Sequence, residues 1–169
     1  MLYLMTPYTS PSEEKRCASA LLADIAAGAL MRKYPHTWVF SPITQGHRIA
    51  PTLPKHVAGE HGFWMRHCRH ALGQASRAVL LPISGWSTSM GVMDETCQAM
   101  TLSIPLSVIR VRKFPINVRN YLTWERPVGA STALDWMIDL EHDANNPDYL
   151  ESILPLLPAA PWMFHILDL

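Results

Sequence analysis

The run Ala78-Val79-Leu80-Leu81-Pro82-Ile83, followed by Ser84-Gly85-Trp86-Ser87-Thr88-Ser89 and then Met90-Gly91-Val92-Met93-Asp94-Glu95, decides how this chain folds. Its first part is continuously apolar, with no alternation, as expected of a parallel strand covered on both faces. The Gly/Ser segment Ser84 to Gly91 is a loop, and Met90 to Leu102 carries a helix. A buried strand that feeds a helix through a Gly/Ser loop is the repeating unit of an α/β protein.

The same unit recurs on the N-terminal side. Leu2 to Met5 is a short apolar strand ended by Thr6-Pro7. Ser10-Pro11-Ser12-Glu13 then starts a helix, with Ser10 as cap, Pro11 at the first position and Glu13 completing a capping box. Leu21, Ile25, Gly28 and Met31 or Arg32 continue at helical spacing, and the helix ends near Tyr34-Pro35. Trp38-Val39-Phe40 is a second strand stopping at Ser41-Pro42, and Thr44 to Glu60 reads as a long loop without a period. His61 to Ala75 is helical through Phe63, His67, Ala71 and Leu72. On the C-terminal side, Leu106 to Ile109 is another strand. Ser131 to Ala144, capped by Ser131 or Thr132, reads as a helix, and Pro147 to Leu157 as a further one. The apolar tail Pro161 to Leu167 needs cover from its own core or from a partner subunit. The alternation predicts a doubly wound, Rossmann-like or flavodoxin-like parallel sheet of about five strands with helices on both faces.

Composition narrows the function classes. A chain of 169 residues, 49% hydrophobic and 17% charged, fits one domain with a sizeable core. Formal net charge is zero and the sequence pI is about 7.1, so no long-range field is available for polymeric DNA or RNA. A mononucleotide needs only a local anion site. Cys17, Cys68 and Cys97 form no CxxC pair and read as free thiols of a reducing compartment. Met1 to Tyr8 lacks a basic leader and reads as a strand rather than a signal peptide, and no apolar run reaches membrane length. The expectation is a cytoplasmic protein with no membrane partner.

In open parallel sheets, ligands sit beyond the carboxyl ends of the strands. The loops reaching that edge are Thr6-Pro7-Tyr8-Thr9, Ser41-Pro42-Ile43-Thr44, Ser84 to Ser89, and whatever follows Val111. Free N–H groups at the helix start after Ser89 can hold an anion, with the Ser89 hydroxyl beside them and Gly91 permitting close approach. Glu95 lies about a turn into that helix, where it can face the same pocket. A carboxylate beside a bound sugar stabilises positive charge at the anomeric carbon and can form a glycosyl-enzyme intermediate.

Three blocks of sequence, Tyr3-Leu4-Met5-Thr6-Pro7-Tyr8, Phe40-Ser41-Pro42-Ile43, and Gly85 to Val92 with Glu95 and Ala99, resemble the nucleoside 2-deoxyribosyltransferase superfamily. Within it, the motifs stand nearest the 2'-deoxynucleoside 5'-phosphate N-hydrolases. The resemblance runs from Leu2 to about Val111 and implies a single domain of that type over 1–169, with an extension from about residue 112. It implies that Glu95 is the nucleophile. Six residues before that glutamate, the nucleoside transferases carry an aspartate and the nucleotide hydrolases a serine, and this chain has Ser89. A hydroxyl donates to a phosphate that a carboxylate would repel, so a 5'-monophosphate is the expected ligand. The chain departs from the family on the helix before the central strand. There the usual aspartate is replaced near Cys68, with His67 adjacent.

The predicted site therefore comprises Glu95 and Tyr8 as catalytic residues. Thr6, Pro7, Ser41, Pro42, Gly85, Trp86, Ser87, Ser89, Met90, Gly91 and His67 are its substrate contacts. Tyr8 reads equally as a packed aromatic or as a sugar contact or acid, and Trp86 as a base stacker or a plug over the core. His61, His67 and His70 lack zinc spacing, and Arg66 and Arg69 read as a solvated helix face. No metal and no cofactor is expected. The expected activity is hydrolysis of the base–sugar bond of a (2'-deoxy)nucleoside 5'-monophosphate. The alternatives are base exchange between nucleosides and a non-catalytic nucleotide sensor. The apolar tail and the Met-rich helix Met90 to Met100 further predict a homodimer or higher homo-oligomer.

Overall fold

A computed structural model describes residues 1–110 and 164–168. Among these residues five strands, β1 (Leu2–Met5), β2 (Val39–Phe40), β3 (Arg77–Leu80), β4 (Leu106–Arg110) and β5 (Phe164–Asp168), form one sheet in the order β2-β1-β3-β4-β5. Every pairing is parallel, with Leu2 beside Val39 and Arg77, and Met5 beside Leu80. The order reverses between β1 and β3, so the loops leaving their carboxyl ends diverge to opposite faces and open a crevice there.

The central strands β1 and β3 are largely apolar on both faces, and each of those faces is covered. Leu2, Leu4, Val79 and Leu81 pack with Ala18, Leu22, Ala26 and Leu30 of α1 (Glu13–Lys33). Tyr3, Met5, Ala78 and Leu80 point the other way. They pack with Met65, Cys68 and Leu72 of α4 (His61–Leu72) and Val92 and Ala99 of α5 (Met90–Thr101). The predicted α/β, doubly wound class is what the chain adopts.

Local differences have identifiable causes. Helix α1 is capped by Ser12, whose side chain accepts from the Lys15 N–H, and not by Ser10, whose hydroxyl instead accepts from the Ser12 N–H. The burial stripe of α1 is rotated relative to the predicted one, leaving Met31 49% exposed. The stretch Thr44 to Glu60 is not an irregular loop. It holds α2 (Pro42–Ile49), a 3₁₀ turn at Ala50–Thr52 and α3 (Lys55–Ala58). Ser41 caps α2 by accepting from the Thr44 N–H, and Pro42 fills its first turn, so the strand-ending Ser-Pro pair is also a helix start. The Asp24–Arg48 ion pair, 3.2 Å, joins α1 to α2.

The apolar tail supplies β5, which extends the sheet beyond β4. The predicted helices at Ser131 to Ala144 and Pro147 to Leu157 lie outside the described residues. Among the described residues no helix is long and apolar enough to cross a membrane.

Candidate active site

The crevice between β1 and β3 is lined from both sides by loops the sequence singles out. A cavity of about 280 Å³ sits there, walled by Thr6, Tyr8 and Thr9 after β1, by Pro42, Ile43 and His47 of α2, and by Ser89, Gly91 and Glu95 at the start of α5. An outer cavity of about 740 Å³ adjoins it and shares Tyr8, Thr9, Arg16, Ala58, His61, Trp64 and Ser89. The helical segment α2 to α3 roofs the inner cavity, and Trp64 ties it down by donating its indole N–H to the Ala58 carbonyl at 2.9 Å.

Glu95 is the chemical centre of the inner cavity. Its side chain is buried, at 5% exposure, because its place one turn into α5 aims it at the sheet. The Tyr3 hydroxyl, reaching across from β1, donates to Glu95 Oε1 at 2.7 Å. Burial pushes the Glu95 carboxyl up to about 7, while the Tyr3 hydroxyl and the neighbouring Cys68 thiol oppose that rise by favouring the ionised form. Burial, and next the adjacent Glu95 charge, lift Tyr3 far above the usual phenol range and Cys68 up to about 12. Both therefore stay protonated and serve as donors. The result is a carboxylate with one oxygen anchored and its charge poised for ionisation near neutrality.

Thr6 is 4% exposed, lines the same cavity, and its Oγ1 has no partner within the described protein. A buried hydroxyl left unmatched beside a cavity is available to a water or a ligand there. Ser89 caps α5 by accepting from the Val92 N–H at 3.4 Å, which leaves its own hydroxyl proton free to point at an anion bound on the helix start. Arg16, a turn into α1, reaches the same region. Its Nη1 donates to the Ser10 and Pro11 carbonyls, and it is the one arginine or lysine among the described residues lining the inner cavity. Lys15 joins it along the outer one.

The predicted site residues divide cleanly. Glu95, Thr6, Tyr8, Pro42, Ser89 and Gly91 line the inner cavity, and Pro7, Gly85 and Met90 line the outer one. Four do not contribute to either wall. Trp86 is buried among Tyr3, Met5 and Val92, because the left-handed Gly85 (φ 85°) turns the chain so that the indole plugs the core. Ser87 is exposed beside it. Ser41 is buried under its own helix as the cap of α2. His67 is exposed with its ring edge-on to Phe63, 4.9 Å away. Met65, Cys68 and Leu72 take the inward face of α4, and His67 lies about 100° around the helix from Cys68.

Of the other polar side chains on α4, Arg66 pairs with Glu60 at the surface, and His61 meets Asp94 at 3.2 Å. Among the described residues no three His, Cys, Asp or Glu side chains gather as a metal site. Tyr3, Arg16, His47, His61 and Trp64 complete the walls or their support; Tyr3 opens the first of the matching blocks without a role assigned to it, and no motif or spacing marks Arg16, His47 or Trp64.

A family described as a domain of unknown function, DUF1937, matches residues 1–111, and the chain belongs to it. The match includes every described residue of both cavities and ends before β5. No curated protein and no solved structure matches the chain.

Proposed function

We propose that this DUF1937 member is an N-glycosidase that hydrolyses the base–sugar bond of a (2'-deoxy)nucleoside 5'-monophosphate, with Glu95 as nucleophile. The observation that carries the reading is the buried Glu95 carboxylate in the wall of a cavity at the β1/β3 switch point, anchored by Tyr3. Such a carboxylate can attack the anomeric carbon with its unanchored oxygen. Its burial strengthens the attraction to the positive charge developing on the sugar. The likeness of the Gly85 to Glu95 segment to the nucleoside 2-deoxyribosyltransferase superfamily supports the same role.

The phosphate is assigned to the start of α5 and to Arg16. Ser89 and the first N–H groups of the helix offer donors, and the Arg16 guanidinium supplies the compensating charge from α1. The sugar then lies between Ser89 and Glu95, with the unmatched Thr6 hydroxyl as a sugar contact. The base points towards Tyr8 and the α2 roof. The inner cavity, about 280 Å³, matches the size of a nucleoside more closely than that of an oligonucleotide. We further propose that the active form is a homo-oligomer. Met90 and Met93 on α5 are 70% and 55% exposed, and Trp38 at the other side of the sheet is 72% exposed.

The test is incubation of the protein with a panel of nucleosides and their 5'-monophosphates, followed by chromatography for free base. Release of base from monophosphates, lost in Glu95→Ala, is the expected result. A panel that yields no free base at any pH between 6 and 9 refutes the assignment.

A further inference from the structure

Breaking an N-glycosidic bond places an electron pair on a nitrogen of the departing base, and that nitrogen must be neutralised. Glu95 is occupied as the nucleophile, and it is the only carboxylate among the described residues lining either cavity. The proton must therefore come from another group, and the walls of the inner cavity offer few. Arg16 is permanently charged and does not release a proton. Cys68 is a poor acid, its thiol lifted up to about 12 by burial. His61 is turned to Asp94 at the surface.

Among the described residues two groups remain, and they are joined, so that the Tyr8 phenol, its pKa raised by burial, can act as a relay for its partner. The Tyr8 hydroxyl and His47 Nδ1 are 2.8 Å apart, their rings meeting edge to face at 5.8 Å between centroids. Tyr8 comes from the loop after β1 and His47 from α2, so the pair bridges floor and roof of the cavity opposite the start of α5. Neither partner is needed for the fold in the way a core residue is, since both are only half-buried. The pair resembles a base held by its orienting partner, here with an imidazole as proton reservoir behind a phenol.

We propose that His47, acting through the Tyr8 hydroxyl, is the general acid that protonates the leaving base. The inference rests on the glycosidase reading of the site. Glu95 attacks the anomeric carbon as the carbon–nitrogen bond breaks, and the electron pair leaves with the base. Tyr8 gives its hydroxyl proton to the base nitrogen and takes one from the His47 ring across their shared hydrogen bond. The base departs neutral, and the sugar is left as an ester of Glu95. Water then attacks the anomeric carbon, its proton returns through Tyr8 to His47, and Glu95 is released as a carboxylate. His47 thus acts first as acid and then as base, and each turnover restores its starting state.

The experiment uses two substrate pairs. One is 2'-deoxyguanosine 5'-monophosphate and its N7-methyl derivative, whose cationic base leaves without needing a proton. The other is 2'-deoxyuridine 5'-monophosphate and its 5-fluoro derivative, a better leaving group. The variant is His47→Asn, whose carboxamide can still hydrogen-bond to Tyr8 but cannot exchange a proton near neutrality. Tyr8→Phe is the second variant, and thermal melts check that both fold. Expected is a loss of kcat on the ordinary member of the hydrolysed pair of roughly 100-fold or more, against a loss of only about 3-fold on the activated member. The double variant should be no worse than either single one, because the two act in series. Equal losses on both members of a pair overturn the proposal while leaving the glycosidase reading intact. So does undiminished turnover of the ordinary member. Wild-type protein that releases no base from any of the four compounds overturns both.

Discussion

Replacing Glu95 by Gln should make the protein more stable at the pH where it destroys the activity. The buried carboxyl stands up at about 7 in the folded chain, against an ordinary value of 4.5. Between those values the unfolded chain has lost its proton while the folded one keeps it. Stability therefore falls as pH rises through that window, and the whole penalty is present above about 7. A displacement of that size corresponds to about 3 kcal/mol. Glutamine keeps a carbonyl for the Tyr3 hydroxyl and never ionises. At pH 4, where Glu95 is mostly protonated in both states, wild type and Glu95→Gln should melt within about 1 °C of each other. At pH 8 the variant should melt higher, by roughly 6–12 °C for a chain of this size. Circular dichroism melts of both proteins from pH 4 to 9 measure it, and subtracting one from the other cancels every other titrating group. A gap that does not change with pH refutes the reasoning, since it would mean Glu95 is not held in a site that resists its charge.

Four further outcomes follow from the same geometry. Arg16→Met and Ser89→Asp should each lower kcat/KM for 5'-monophosphates by about 10-fold or more while changing nucleosides little, and the ratio of the two substrate types is the readout. Tyr3→Phe removes a hydrogen bond that favours the ionised Glu95. The rise of kcat/KM with pH should move upward by on the order of one to two pH units, as a pH–rate profile will show. Deoxynucleotides should be cleaved faster than their ribo counterparts, because a 2'-hydroxyl withdraws electrons from the anomeric carbon; paired substrates at limiting concentration test this. Light scattering at micromolar concentration should report a dimer or a multiple of one, and a fully active monomer would show that one chain completes the pocket.

The sheet and the candidate nucleophile are legible in the sequence for the same reason. A continuous apolar run such as Ala78 to Ile83, bounded by a Gly/Ser loop, is what a strand covered on both faces requires, although β3 itself ends at Leu80, and the switch-point rule then nominates the loop that follows. What the sequence hides is anything that depends on phase. Tyr3 sits in a strand whose every residue is buried, so no alternation marks it as facing α5 rather than α1. His67 and Cys68 are neighbours in sequence, yet a turn of about 100° puts one in solvent and the other beside Glu95. Trp86 can plug or stack until the left-handed Gly85 decides the direction. Arg16 is masked because the serine pair Ser10 and Ser12 offers two helix starts, and the true cap lies two residues later than the capping-box pattern suggests. The α2 segment gives no apolar period, since Gly46, His47 and Arg48 occupy much of so short a length, although Ser41-Pro42 is a start signal in plain view.

The fifth strand has a consequence for how the chain must be handled. The family match stops at residue 111, but β5 lies far beyond it and pairs along the full length of β4, from Leu106 beside Phe164 to Arg110 beside Asp168. A fragment cut at the family boundary would keep every described residue of both cavities and still lose this neighbour. It would present β4 as a bare rim of unsatisfied amides, rich in Val108 and Ile109, ready to template pairing with the next molecule. Precipitation of such a fragment would then reflect colloidal behaviour and say nothing about the pocket, and the full chain is the specimen on which the chemistry should be judged.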